Sequence, residues 1–244
     1  MSGTDGPPTP EAAGSRLERL GFSLPPDALS SLCSYLAMLG KWRRVVNLVG
    51  PEDWRDILEK LVVDSFHLAS FLDGLPLPPD AACLDLGAGA GLPGLPLRMI
   101  RKDGRHVLVE AREKRAMFLR AFLAANPLPG TVVYHGRAQD RLREAEKEGG
   151  AAFILSRAFM PWEKVLELAG PHMRSRGFCV FLSSAPLPSK FPPTLCGTLP
   201  RTPPPEPAGG GRETGRTAGG WTASAEAGYT VDNSTRYFWA LQKI

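Results

Sequence analysis

The apolar rhythm of the chain changes twice. Up to residue 72, large apolar residues recur every third or fourth position, the period of a helix with one buried stripe. Leu17 and Leu20 mark a short helix over 11–22. Leu29, Leu32, Leu36 and Leu39, continued by Trp42 and Val46, mark a helix over 27–48, with the stripe serving packing. Trp54, Ile57, Leu58, Leu61, Phe66 and Leu72 mark a third over 53–72. Pro76, Pro78 and Pro79 then interrupt the pattern, because proline lacks an amide donor and turns its predecessor away from the helical region. From 82 to 182, short apolar runs at 82–86, 106–110, 131–135, 152–156 and 177–182 alternate with helical patterns near 94–102, 112–125, 138–148 and 161–170. Strands joined through helices run parallel, with helices on both faces of the sheet, so the pattern predicts an α/β fold. Prolines crowd 186–207 and glycines follow to 220, the composition of a mobile tract. Gly228–Val231 and Arg236–Leu241 read as a closing hairpin. The predicted organisation is a helical section over 1–80, an α/β unit over 81–184, a Pro/Gly-rich tract over 185–220 and a hairpin over 221–244 that completes the sheet.

The first strand runs into Asp85-Leu-Gly-Ala-Gly-Ala-Gly-Leu-Pro-Gly94. Strand, glycine loop and helix together bring backbone amides close to a ligand, and a Cβ at such positions blocks the approach. The second strand ends in Glu110, where a carboxylate accepts both hydroxyls of a ribose. The pair predicts a nucleoside-containing cofactor. Gly89-x-Gly91-x-x-Gly94 also matches the dinucleotide fingerprint, so an NAD-linked oxidoreductase stays open. Two residues favour S-adenosylmethionine: Asp85, placed to orient the loop or a methionine amine, and Pro93, which removes an amide where a pyrophosphate needs donors. Gly87–Gly91, Glu110, Gly136–Gln139 and 156–159 all fall at C-terminal strand ends, the ligand-binding edge of such sheets.

Charge and cysteine usage narrow the setting. The 244 residues carry a formal net charge of +4, a mild excess whose clustering matters more than its size. Lys41, Arg43 and Arg44 form one group, Arg98, Arg101, Lys102 and Arg105 a second, Arg112, Lys114, Arg115 and Arg120 a third, and Arg137, Arg141 and Arg143 a fourth. Such groups attract phosphates, or else face solvent. Cys33, Cys83, Cys179 and Cys196 form no Cys-x-x-Cys, and the four histidines share no ligand spacing, so no metal is expected. No run of eighteen apolar residues suggests a membrane span, and the polar N-terminus lacks a signal-peptide plan, which predicts a cytoplasmic protein.

With these residues assembled, the chain resembles the RsmG family, also called glucose-inhibited division protein B. The motifs that carry the resemblance are Lys41-Trp42 with Asn47-Leu48, Asp64-Ser65, the loop from Asp85 to Gly94, Glu110, Lys114-Arg115 with Phe118-Leu119, Gly136-Arg137, and Ser156-Arg157-Ala158-Phe159. The resemblance implies a Rossmann-like class I methyltransferase sheet and S-adenosylmethionine as cofactor. It further implies methyl transfer to guanine N7 of 16S ribosomal RNA, by positioning and without a general base. Free RNA or the assembling small subunit is the implied partner, and the protein is expected to act as a monomer. Carried over by position, it implies cofactor contacts at Gly87, Gly89, Gly91, Leu92, Glu110, Ala138, Gln139 and Arg157. Arg157 is also the implied positioning residue of catalysis, and Arg137 and Arg236 are candidate RNA contacts. Phe159 is a candidate base-stacking residue or a core aromatic, and Asp64-Ser65 either caps the cofactor cleft or faces solvent. Three positions depart from the family pattern. Gln139 stands for a glutamate, Leu61 for a histidine, and Ser183 for a strand-end lysine. The last two keep a non-catalytic RNA-binding relative open as an alternative.

Overall fold

The structure, a computed structural model, describes residues 6–43, 45–78, 80–188, 217–218, 220–231 and 234–244. Most of the predicted tract 185–220, with Cys196, lies outside the described residues, as does Arg44.

The N-terminal helices are α1 (Pro10–Arg19), α2 (Pro26–Trp42), α3 (Trp54–Ile57) and α4 (Val63–Asp73). Their starts follow local chemistry. The Thr9 side chain caps α1 by accepting from the Ala12 amide, and the Asp53 carboxylate accepts from the Arg55 amide at 2.7 Å to cap α3. Two differences from the sequence pattern stand out. The helix expected to reach residue 48 ends at Trp42, and the β-branched pair Val45-Val46 with Asn47, all weak helix formers, lies in the connection that follows. The helix expected over 53–72 is interrupted by a π-helical turn, Leu58–Val62, in which the Val63 amide reaches back to Leu58 O. One extra residue in a turn leaves the apolar spacing almost intact, so periodicity does not reveal it.

The sheet has the order β3-β2-β1-β4-β5-β8-β7-β6. The parallel strands are β1 (Cys83–Leu86), β2 (His106–Glu110), β3 (Thr131–His135), β4 (Ala151–Arg157) and β5 (Met173–Ser183). Between them run α5 (Gly94–Ile100), α6 (Glu113–Ala125), α7 (Ala138–Lys147) and α8 (Trp162–Ala169). β6 (Thr217–Ala218), β7 (Trp221–Val231) and β8 (Ser234–Lys243) add antiparallel strands beyond β5. The hairpin strand expected at 228–231 begins at Trp221. The added residues, 221–227, include three alanines, which carry little strand signal.

Alternation sorts the core into layers. Leu84, Leu86, Ile154, Cys179, Phe181, Trp239 and Leu241 face α7 and α8, whereas Cys83, Leu155, Phe178, Val180, Phe238 and Ala240 face α4 and α5. The tight pairing of Tyr237 to Leu241 with β5 therefore buries both faces of β8. Tyr35, Phe118 and Phe122 join α2 to α6 in the third layer, and Trp42 meets Phe118 edge-on at 5.7 Å. Cys33, Cys83 and Cys179 are buried thiols. Among the described residues no helix is long and apolar enough to cross a membrane.

Three members of the second basic group serve the fold, and the fourth, Arg105, is exposed. Arg98 is 4% exposed and donates to the carbonyls of Lys102, Asp103 and Pro129 and to Thr131 Oγ1, which ties the turn after α5 to the start of β3. Arg101 pairs with Asp73, and Lys102 with Asp27. Replacing Arg98 by methionine keeps most of the volume and strips the donors from several carbonyls. At about 1–3 kcal/mol per buried acceptor left bare, and with some rehydrated by water, Arg98→Met is expected to lose about 3 kcal/mol in urea unfolding.

Candidate functional site

The strand order reverses between β1 and β4, where the chain crosses back from the β3 edge. Ligands bind in the crevice outside the C-terminal strand ends at such a point. Leu86 pairs with Ser156 there, so the residues that follow, Gly87 and Arg157, leave the sheet side by side.

The glycine loop is fixed from three sides. The amides of Gly87 and Ala88 donate to Val109 O at 2.9 and 3.0 Å. The Gly89 amide donates to Glu110 Oε2, and the Arg112 amide to Glu110 Oε1, both at 2.8 Å. From α2, the buried Tyr35 hydroxyl donates to Ala90 O at 2.8 Å. Two glycines show how differently the loop is used. A Cβ on Gly94 would overlap the Asp85 carboxylate and fall 2.7 Å from Leu108 Cδ2, so α5 packs on the sheet only through glycine. Gly89 has a left-handed φ of +58°, yet a Cβ there would meet nothing closer than 3.7 Å. The space above Gly89 is open, and it is bounded by a carboxylate whose two oxygens each accept one amide and retain further acceptor capacity. This donor and acceptor set fits the ribose of an adenosyl cofactor.

Not every expected contact residue faces that space. Gly91 is buried against Leu95 and Leu119, and Leu92 packs partly on the helical core, its bond to Pro93 cis. Ala138 is buried and Gln139 exposed in the first turn of α7, whose N-cap residue Arg137 is exposed and makes no side-chain capping bond. Asp85 lies beneath the loop rather than at its rim. Its Oδ2 has no hydrogen-bond partner and stands 3.8 Å from His106 Nε2. Burial raises its carboxyl above the usual range, with His106 opposing.

Across the crevice, Arg157 ends β4. Its Nη2 pairs with Asp64 Oδ2 at 2.9 Å, and its Nη1 donates to Leu61 O at 3.3 Å. Arg236 of β8 reaches the same carboxylate and also donates to Lys60 O. The Tyr229 hydroxyl of β7 donates to Asp64 Oδ1 at 2.9 Å. Asp64 is thus no solvent-facing helix residue: it is 2% exposed and holds two guanidiniums and a phenol. The π-helical turn matters here, because the carbonyls it presents, of residues 60 and 61, are the ones the arginines take. Burial, and then Asp64, push the Tyr229 hydroxyl well above the usual phenol range, so it remains a donor. His67 stacks on the Tyr229 ring at 4.3 Å.

Beside this cluster lies a cavity of about 410 Å³, whose lining includes Arg157, Arg236, Asp64, Ser183, Trp162 and Trp239. Trp239 is held between Phe181 and Trp162, and its indole nitrogen is buried without a partner. Ala158 takes a left-handed φ of +49°, which is uncommon without glycine and typical of functional turns. It is followed by Phe159, whose ring covers Gly87 and packs on the core beside α8. Ser183, at the position of the family lysine, accepts from the Ala185 amide at 3.0 Å. Among the described residues no group of three or more His, Cys, Asp or Glu is arranged to hold a metal. Tyr229 and Trp239 fall in the predicted hairpin strands but are not among the predicted site residues, since an aromatic in a strand carries no mark of what it faces.

Removing the Asp64 charge leaves two guanidiniums without their shared counterion. Breaking a buried pair in this way costs about 3–5 kcal/mol, and the partial exposure of both arginines reduces it. Asp64→Asn, which retains an acceptor for Tyr229, is expected to lose about 2 kcal/mol in urea unfolding; a change below about 0.5 kcal/mol contradicts the role assigned to the carboxylate.

Comparison with known proteins agrees with this geometry. A family model, GidB, described as rRNA small subunit methyltransferase G, matches residues 28–186. The chain is 43% identical over 224 residues to the ribosomal RNA small subunit methyltransferase G of Nitratidesulfovibrio vulgaris (strain DP4), which covers 92% of this chain and 89% of that one. It is 49% identical over 164 residues to the protein of that name from Lawsonia intracellularis, covering 67% and 76% of the two chains. Among solved structures, an O-methyltransferase from Bacillus cereus in complex with SAH superposes with a TM-score of 0.56 at 16% identity, over 96% of this chain and 100% of that one. That likeness concerns the fold, a Rossmann-like α/β sheet of the class I methyltransferase kind. The chain belongs to the rRNA small subunit methyltransferase G family.

Proposed function

We propose that the chain transfers a methyl group from S-adenosylmethionine to N7 of a guanine in 16S ribosomal RNA, free or in the assembling small subunit. The observation that carries this reading is a convergence at one switch point. Open Gly89 and strand-end Glu110 lie on one side of it, and Arg157, at the end of the neighbouring β4, leads to a cavity that Arg236 also lines. Membership of the family supports it independently.

When bound, the cofactor supplies an electrophilic methyl group on a sulfonium. The chain's part is to hold and orient. Glu110 takes the ribose hydroxyls with the acceptor capacity its two amide bonds leave free. Backbone at Gly87, Gly89 and Leu92 borders the methionine end, Gly91 shapes the loop from within, and Ala138 and Gln139 flank the adenine. Arg157 stands between crevice and cavity, where it positions the target nucleotide against the cofactor. Arg236 and Arg137 meet phosphate.

Guanine N7 carries an in-plane lone pair and no proton, so no general base is required. The groups at the cavity agree with that: Asp64 already holds three donors and is not poised to accept a proton. Alignment and exclusion of water then carry the rate, and good alignment supplies about 7–11 kcal/mol at best. The base must be unpaired or splayed out to enter. The departures at Leu61 and Ser183 leave both guanidiniums at the cavity, which favours an active enzyme over a non-catalytic relative.

Gly89 is the loop position where a side chain has room, and aspartate tolerates left-handed backbone better than most residues. Gly89→Asp is therefore expected to fold, with about 1 kcal/mol lost, while setting a side chain into the ligand space toward the Arg115 guanidinium. Titration with S-adenosylhomocysteine is expected to show micromolar binding to the natural chain and none to the variant. Retained binding, or binding of NADH in its place, overturns the assignment. In cells, deletion of the gene is expected to abolish borohydride–aniline cleavage at one N7-methylguanine of the small-subunit RNA.

A further inference from the structure

We propose that a cleft between the α2–α3 connection and the first turn of α6 is a second contact surface for the RNA, gripping its phosphodiester backbone beside the cofactor crevice. The identity of the polymer rests on the function proposed above; the surface itself is argued from the chain. The cleft measures about 360 Å³ and is lined by Val46, Asn47, Arg112, Glu113, Lys114 and Arg115.

The first argument is where the cations are spent. In the group around α5, Arg98 is buried on carbonyls, and Arg101 and Lys102 pair with carboxylates of other helices. On α7, Arg141 pairs with Glu148 and Arg143 with Asp140. Arg157 and Arg236 share Asp64 and belong to the cavity described above, the exposed Arg137 belongs to the start of α7, and the exposed Arg105 precedes β2 at the opposite edge of the sheet. At the cleft, by contrast, Arg112 and Lys114 are exposed and form no ion pair among the described residues. Lys41, also exposed, ends the neighbouring helix. The lining cations Arg112, Lys114 and Arg115 against the single carboxylate of Glu113 leave the cleft with a net positive charge.

The second argument is placement. The Arg112 amide is bonded to Glu110, the residue assigned to the cofactor ribose. The Arg115 guanidinium donates to Asn47 O at 3.1 Å and lies 3.7 Å from the point where a Cβ on Gly89 would sit. One arginine thus spans cleft and crevice, so that Arg112 and Lys114 stand on the glycine-loop side of the cofactor space, where a polyanion approaching that space meets them. The α6 N-cap makes no side-chain bond, which leaves first-turn amides facing the same space.

The test uses the full chain with Arg112→Glu and Lys114→Glu combined. Arg115 is left intact because its head lies against the glycine loop. Affinity for a small-subunit RNA fragment is read by fluorescence anisotropy across a salt series, and methyl transfer is read separately with labelled S-adenosylmethionine. The variant is expected to bind RNA at least about tenfold more weakly, and its log–log salt slope to be shallower by about 1.4, at about 0.7 per phosphate contact on single strands. The loss in transfer is expected in KM for RNA rather than in kcat, with unchanged S-adenosylhomocysteine affinity reporting an intact crevice. RNA affinity within twofold of the natural chain, with an unchanged slope, overturns the proposal. If the natural chain transfers no methyl group to this RNA, the proposed function fails while the anisotropy series still decides the cleft.

Discussion

A carboxylate buried to 2% exposure must be neutralised from within the fold, and Asp64 is neutralised by parts of the chain that are far apart in sequence. Arg157 comes from the end of β4, Arg236 from β8 and Tyr229 from β7, while Asp64 itself belongs to the N-terminal helices. This one charge therefore fastens the helical section to the parallel sheet and to the closing hairpin at the sheet's functional edge. It also fixes the direction of two guanidiniums that would otherwise swing in water. The cavity beside them is thereby walled by two guanidiniums whose charge one carboxylate only partly offsets.

The glycine loop answers a different constraint. Close packing of α5 on the sheet demands Gly94, because Asp85, His106 and Leu108 occupy the space a side chain would need. The open position, Gly89, lies on the other side of the loop and faces the strand-end Glu110. The glycines of one motif thus divide between inward packing and outward access, and of the two roles the sequence left open for Asp85, orienting the loop or a methionine amine, its inward place accords with the first. Its burial raises the carboxyl's pKa, which agrees with a place under the loop rather than at a wet rim.

The alternating strands and helices were legible because apolar period and length distinguish them, and β1, β2 and β3 lie within a residue of the runs that predict them. The π-helical turn at 58–62 was not, since one inserted residue hardly disturbs a helical stripe, yet it presents the two carbonyls that Arg157 and Arg236 take. The start of β7 was not marked as strand because Ala223, Ala225 and Ala227 carry little strand signal. Glu110 and the loop could be read from spacing alone. Asp64 could be named but not placed, because a buried and an exposed helical aspartate look alike until partners arrive from other strands. The basic groups looked equivalent in sequence, and only ion pairing separates those that hold the fold together from those left for a polyanion.

The central claim is spatial, and a crystal structure of the chain with S-adenosylhomocysteine tests it most directly. The account predicts ligand density above Gly89, with both ribose hydroxyls within hydrogen-bond distance of Glu110 and the sulfur directed toward Arg157 and the adjoining cavity. Ligand bound elsewhere on the chain, or seated there with its ribose away from Glu110, would contradict it.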